Sequence, residues 1–340
     1  MPAGRCNTLQ LTVEDLDRAA TILREGGTVA FPTETVYGLG ANALDAAAVE
    51  KIFAAKQRPH WDPLIVHLSS LEILSAIVSS ISARARLLME AFWPGPLTLL
   101  LARNPALPLA VTAGRELVGV RMPAHPMALD LIRRAGVPVA APSANLFGHV
   151  SPTSAAHVLE DLDGAIDAIV DGGSTSVGVE STVLDPNTSP MMLYRPGAIT
   201  LEQIVAVAGP TVRYQPVDTL DGAKHESLPS PGIGIRHYAP RARVVLVQDE
   251  DELHRIFQQM KTERVGVLLP TEWKIPSQSI EAVIWGSWND TTALAHTLFE
   301  GLRTLDTRGV EIILCPLPRE GSGPLAEAIR DRLMKAAKTS

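Results

Sequence analysis

Apolar positions along this chain switch repeatedly between a helical and an alternating period, and that switching predicts an α/β protein. Over residues 15–24 they fall three or four apart, which predicts a helix; Gly26-Gly27 stops it, and 28–31 reads as a strand. Asp45 supplies an N-cap for the next helix. There Val49, Ile52, Phe53 and Lys56 share one face, so the lysine continues a buried stripe with its ammonium inward or along the seam, and Pro59 is expected to end the helix. Further strands are predicted at 64–68, 97–101, 119–122, 138–141, 168–170 and 181–184, and helices near 71–78, 82–92, 126–135, 153–161 and 200–208. Strands outnumber the helices of a regular βαβ repeat, which favours a mixed sheet. Residues 214–243 carry four prolines (216, 229, 231, 240) among several glycines and no sustained apolar period, the mark of a linker. Beyond it, strands at 244–247, 265–269, 282–285 and 312–315 alternate with helices near 250–260, 291–305 and 323–337.

With 340 residues, 46% of them apolar, the chain has enough material for two cores. The expected organisation is a domain over 1–213, a linker over 214–243 and a smaller α/β domain over 244–340. A net charge of −7 gives no general attraction to nucleic acid or to an anionic membrane surface, so any basic site must be local. Cys6 and Cys315 form neither a disulfide framework nor a metal-spaced cluster, which fits free thiols in a reducing compartment. The N-terminus lacks a signal-type apolar block and no apolar run is long enough to span a bilayer; a cytoplasmic protein without membrane contact is expected.

Two strands end alike, in Pro32-Thr33-Glu34-Thr35 and Pro142-Ser143-Ala144-Asn145. A proline cuts each apolar run and hydroxyl and amide groups follow, so the polar tips are the candidate site. Lys56 and Arg58, taken alone, would merely complement a helix dipole. Arg121, Arg195, Ser143 and Asn145 also stand at element ends, and several such groups converging would neutralise a triphosphate. No phosphate-binding G-x-x-x-x-G-K loop is present, and Gly38-Leu39-Gly40 reads as a tight turn rather than a dinucleotide fingerprint. His67, inside an apolar strand, reads more simply as a hydrogen-bonded core residue. Glu34 and Glu180, each between hydroxyl residues, either bind a cation or face solvent. No serine, cysteine or threonine lies in a nucleophile elbow and metal spacing is missing, which disfavours covalent or zinc chemistry.

At these residues the chain resembles the L-threonylcarbamoyladenylate synthase family, the YrdC-like enzymes. The family's K-x-R and S-x-N signatures stand here as Lys56-Gln57-Arg58 and Ser143-Ala144-Asn145, and its P-T-E-T-V-Y-G-L-G block occupies 32–40. Similarity extends through Pro63-Leu64-Ile65-Val66-His67, Val120-Arg121-Met122-Pro123, Glu180-Ser181-Thr182 and Arg195-Pro196-Gly197; Ser230-Pro231-Gly232 and His237-Tyr238-Ala239-Pro240 resemble the linker of two-domain members. The resemblance implies a YrdC-like twisted mixed sheet with flanking helices, followed by a smaller Rossmann-like α/β/α domain.

It also implies ATP, L-threonine and bicarbonate as substrates, and threonylcarbamoyl-AMP and pyrophosphate as products. Magnesium would arrive on the ATP phosphates without a firm protein ligand. Carried over by position, Lys56, Arg58, Ser143, Asn145, Ser151 and Arg195 would hold the nucleotide, with Asp62 lining the same pocket where many members carry asparagine. Thr35, His67, Arg121 and Ser181 would hold threonine, Arg121 facing its carboxylate. Arg236, His237 and Tyr238 would form a lid over the cavity, against the plainer reading of a tether. The expected partners are downstream threonylcarbamoyl-transfer proteins acting on tRNA, with direct tRNA binding weak or absent. A nucleic-acid-binding module is the competing class; the acidic balance and the lack of an interleaved basic and aromatic stripe oppose it.

Overall fold

The computed structural model describes residues 7–215, 238–260, 264–277 and 279–338, built around two sheets. The larger contains β1 (Leu9–Leu11), β2 (Val29–Pro32), β3 (Tyr37–Asn42), β4 (Ile65–His67), β5 (Val78–Ser80), β6 (Leu97–Arg103), β7 (Leu117–Arg121), β8 (Val139–Ala140), β9 (Ala168–Val170), β10 (Thr182–Asp185), β11 (Met191–Arg195) and β12 (Thr211–Arg213). Their order is β1-β9-β2-β3-β8-β4-β7-β6-β10-β11-β12, with β5 paired to β6. Parallel ladders such as β4–β7 and β6–β10 mix with antiparallel ones such as β2–β3, β4–β8 and β6–β7, as the surplus of strands implied. Around it pack α1 (Leu16–Arg24), α2 (Ala46–Lys56), α3 (Ala83–Phe92), α4 (Leu109–Thr112), α5 (Pro126–Ala135), α6 (Ala155–Leu162) and α7 (Leu201–Ala208). Apolar stripes explain their seating: Leu16, Ala20 and Leu23 of α1 meet Leu131 and Ile132 of α5, while Val49, Ile52 and Phe53 of α2 cover β3.

The smaller sheet is wholly parallel, in the order β13-β16-β14-β15. Its strands are β13 (Arg243–Val247), β14 (Val265–Pro270), β15 (Glu281–Gly286) and β16 (Ile312–Pro316), and its helices α8 (Glu250–Gln259), α9 (Thr291–Thr307) and α10 (Ala326–Ala336). Alternation along the strands divides the core. Val267, Leu269, Ile312 and Leu314 join Leu253 of α8, whereas Leu268, Ile313 and Cys315 join Leu298, Leu302, Ile329 and Leu333 of α9 and α10. Helices on both faces of a short parallel sheet give the expected α/β/α layering. Cys315 is a buried free thiol.

The second core does not stop at the boundary between the sheets. Val36, Val150 and Val179 of the first region belong to the same buried cluster as Leu294, Leu298 and Phe299 of α9. Gly178 marks how close the two come: its φ is +82°, a conformation that side chains avoid, and a Cβ there would sit 2.5 Å from the Ala295 carbonyl oxygen. No helix among the described residues is long and apolar enough to cross a membrane.

Three local expectations are corrected. Gly38 and Gly40 lie within β3, antiparallel to β2, instead of forming a tight turn. The reason is space: a Cβ on Gly40 would come within 2.7 Å of both the Phe31 ring and Val139. The helix near 71–78 is a 3-10 turn, Glu72–Ala76, that gives way to the edge strand β5. Finally, α2 ends at Gln57 in the left-handed conformation (φ 52°), ahead of Pro59. Strands β1, β11 and β12 are additions to those expected from the sequence.

Candidate active site

The turn that ends α2 aims its two cations. Asp45 caps the helix by accepting from the amides of Ala47 (2.9 Å) and Ala48 (3.2 Å), which fixes the register that buries Lys56. At the other end the amides of Gln57 and Arg58 close back on the carbonyls of Ala54 and Phe53, turning the chain within one residue. Lys56 therefore points into the protein, where Nζ donates to the Ser143 carbonyl (2.6 Å) and to that of Asn145. Burial, then Arg58, push the pKa of this ammonium well down, against the opposing pull of Asp62 and Asp161. Arg58 is tied to its own loop: Nε donates to the Asp62 carbonyl (3.0 Å), Nη2 to that of Pro63 (2.7 Å), and the Asp62 carboxylate lies 3.0 Å from Nη2.

Strand register supplies the next pair. β4 and β7 run parallel with His67 beside Arg121 at their C-terminal ends. Arg121 Nη1 donates to the Thr35 hydroxyl (2.9 Å), Nε to the Gly95 carbonyl (3.2 Å), and Nη2 stands 2.6 Å from Glu34 Oε1. The charge and hydrogen bond of Arg121 outweigh burial and hold the Glu34 carboxyl below the usual range. Burial, and secondarily Arg121, push the His67 pKa down to about 3, so its ring is neutral at physiological pH.

Further along the same sheet, Arg195 ends β11 and donates from Nε to the Ser181 carbonyl (3.0 Å) and from Nη2 to the Ser181 hydroxyl (3.1 Å), which also meets Thr98 Oγ1 at 2.8 Å. Glu180 accepts the Ser151 hydroxyl on one oxygen and Arg332 Nε (2.7 Å) on the other. Burial works against its ionisation, but Arg332 and Arg195 overcome it and keep its pKa low.

These groups surround a cleft of about 550 Å³, counted with the open solvent at its mouth. Of the residues singled out from the sequence, Thr35, Arg58, His67, Arg121, Ser143, Ser181, Arg195 and Tyr238 line it. Lys56, Asp62 and Ser151 stand one layer behind, buried and bonded to the lining or its backbone, and Asn145 is buried beside them with its carbonyl held by Lys56. Asn145 Nδ2 spans the carbonyls of Leu146 (2.7 Å) and His149 (3.0 Å), so it shapes the loop from within. Arg236 and His237 lie outside the described residues. Tyr238, at φ 63°, stacks on Phe299 with centroids 5.8 Å apart, and burial pushes its pKa up to about 12.

Two things escaped the sequence reading. Glu34 and Glu180 are buried anions paired with arginines and do not face solvent. Arg332, from the far end of the chain, is part of the wall's support. The signal for it was present: on α10 it falls in register with Ala328, Ile329, Leu333 and Ala336, a charge on an apolar stripe like Lys56.

A narrow cleft lined by three guanidinium groups is chemically suited to an anionic ligand with several oxygens. Residues 21–197 match the family described as Telomere recombination, and 199–338 the one described as Threonylcarbamoyl-AMP synthase, C-terminal domain. Threonylcarbamoyl-AMP synthase of Bacillus subtilis is 46% identical over 338 residues, 97% of this chain and 95% of its own; that of Pyrococcus abyssi is 44% identical over 327 residues, 94% and 93%. The crystal structure of P. abyssi Sua5 complexed with L-threonine aligns with a TM-score of 0.87 at 41% identity, covering 97% of each chain. Matched through both sheets and along nearly its whole length, this chain belongs to the threonylcarbamoyl-AMP synthase family.

Proposed function

We propose that this chain is a threonylcarbamoyl-AMP synthase that joins L-threonine, bicarbonate and ATP, releasing pyrophosphate, and that its product serves threonylcarbamoylation of the tRNA adenosine beside the anticodon. One observation carries the reading: Arg58, Arg121 and Arg195, far apart in sequence, line one cleft together with Thr35, His67, Ser143 and Ser181. Threonine's neutral amine attacks inorganic carbon, water departs, and an oxygen of the resulting carbamate attacks the α-phosphorus as pyrophosphate leaves. The chain supplies position and charge for this, with no covalent step of its own. Holding the reactants near attack geometry is worth roughly 7–11 kcal/mol of barrier, and donors fixed in a buried wall stabilise the charge that develops.

In this reading Arg58, Arg195 and Ser143 face the nucleotide. Lys56 and Asn145 fix the Ser143 loop, Asp62 tempers the charge of Arg58, and Ser151 is held by Glu180. Arg121 meets the threonine carboxylate while still carrying Glu34, and Thr35, neutral His67 and Ser181 complete that subsite. Magnesium would arrive on the triphosphate. Bound there, it would neutralise phosphate charge. Tyr238, on the cleft wall, supports a closing role for the linker it begins to leave.

The test is to incubate the full chain with ATP, magnesium, L-threonine and labelled bicarbonate. A labelled adenylate with matching pyrophosphate is expected; ATP binding without pyrophosphate release would overturn the reading in favour of a nucleotide-binding regulator.

A further inference from the structure

We propose that Arg332 is a positioning residue for the nucleotide side of the cleft, acting through the Glu180 carboxylate. The inference rests on the reading of the cleft as an ATP site and adds to it a part for the second sheet's terminal helix. Arg332 is 1% exposed, although it lies 152 residues from its partner. Its Nε donates to Glu180 Oε2 (2.7 Å), Nη2 reaches the Glu180 carbonyl (3.4 Å), and Nη1 is held by Asp331 Oδ2 (2.5 Å). The guanidinium carbon stands 5.2 Å from the Tyr238 ring centre.

Glu180 is the node. One oxygen takes the Ser151 hydroxyl and the other takes Arg332, while the next residue, Ser181, carries both of the Arg195 bonds described above. A buried carboxylate must be answered by a cation. Two arginines act on this one, Arg332 from behind and Arg195 from the cleft side. By answering Glu180 from behind, Arg332 leaves Arg195 on Ser181 with its face toward the ligand, and keeps Ser151 in place. Without Arg332, Glu180 draws Arg195 inward and withdraws a cation from the phosphates.

The experiment compares full-length wild type with Arg332→Gln, Arg332→Lys, Glu180→Gln and the Arg332→Gln/Glu180→Gln pair, by calorimetric titration with ATP and by KM for ATP and for threonine. Arg332→Gln should weaken ATP at least tenfold while KM for threonine moves less than twofold. Arg332→Lys, which keeps charge without the planar fork, should fall between and carries the test if the glutamine variant does not fold. Removing the charge of Glu180 as well should bring ATP affinity back to within threefold of Glu180→Gln alone, a recovery that a purely structural role would not produce. Wild-type ATP affinity in both Arg332 variants, or a double variant no better than Arg332→Gln, would overturn the proposal. Because ATP binding is read without chemistry, a wild type that binds ATP yet releases no pyrophosphate defeats the synthase reading and leaves this comparison standing.

Discussion

The two regions treat buried charge differently. Around the larger sheet, buried cations are answered from within: Lys56 by two carbonyls, Arg58 by its own loop and Asp62, Arg121 by Glu34. In the smaller region the buried charged side chains among the described residues are Arg303 and Arg332, and both bond across the boundary. Arg303 donates to the Val150 carbonyl (2.6 Å) and pairs with Asp161 (2.9 Å) and Glu160 (3.0 Å). Val150 and Ser151 are thus gripped in succession, one by Arg303 and the next through Glu180 by Arg332. The regular sheet behind is a support whose charges are spent on the irregular sheet in front.

That contrast is most exposed to removal of Arg303. Arg303→Met leaves Asp161 to His149 and the Leu146 amide and the Val150 carbonyl without its guanidinium, and should cost about 3–5 kcal/mol in denaturant unfolding of the full chain. A change under about 1 kcal/mol would mean the cross-boundary charges are incidental. Next in size, Lys56→Met leaves the Ser143 and Asn145 carbonyls without their clamp. Turnover should fall about 100-fold, near 2.7 kcal/mol, because a shift of about 1 Å in a positioning group costs that much. Unchanged turnover in a folded Lys56→Met protein would remove internal clamping from the first region's side of the contrast.

Per pH unit the third effect is the smallest, and it is a slope. With a folded pKa of about 3 against 6.5 unfolded, His67 binds its proton in the unfolded chain first. Its contribution to stability is therefore intact above pH 6.5 and is lost as pH falls toward 3, at about 1.4 kcal/mol per unit. His157 at the boundary, pushed down to about 4 by burial and then Arg303, adds a slope of the same sign over a narrower window. His67→Gln should flatten the steeper part, measured as unfolding midpoints between pH 4 and 7. Identical slopes in the two proteins would mean that His67 titrates alike in the folded and unfolded chain.

How far the sequence could be read follows the same division. In the regular region each predicted strand and helix formed within a few residues of its expected place, because parallel strands buried on both faces write continuous apolar runs. In the irregular region β3 was hidden behind glycines whose purpose is room for Phe31 and Val139, a tertiary fact with no local signature. The cleft itself was legible through Lys56, Arg58, Arg121, Ser143 and Arg195, since cations and hydroxyls at element ends have few other reasons to recur. Glu34 and Glu180 stayed undecided because what settles a carboxylate is its partner, and those arginines are 87 and 152 residues away. Lys56 was recognised as a charge on an apolar stripe; the same test applied to α10 would have singled out Arg332.

The double grip on Glu180 sets a rule for taking this protein apart. Severing the chain after 213 would part the Glu180 carboxylate from Arg332 and leave Arg195 as its cation within the front half. A working fragment would call for Glu180→Gln as a companion change, and any transplanted back half would have to present a guanidinium at the same spot.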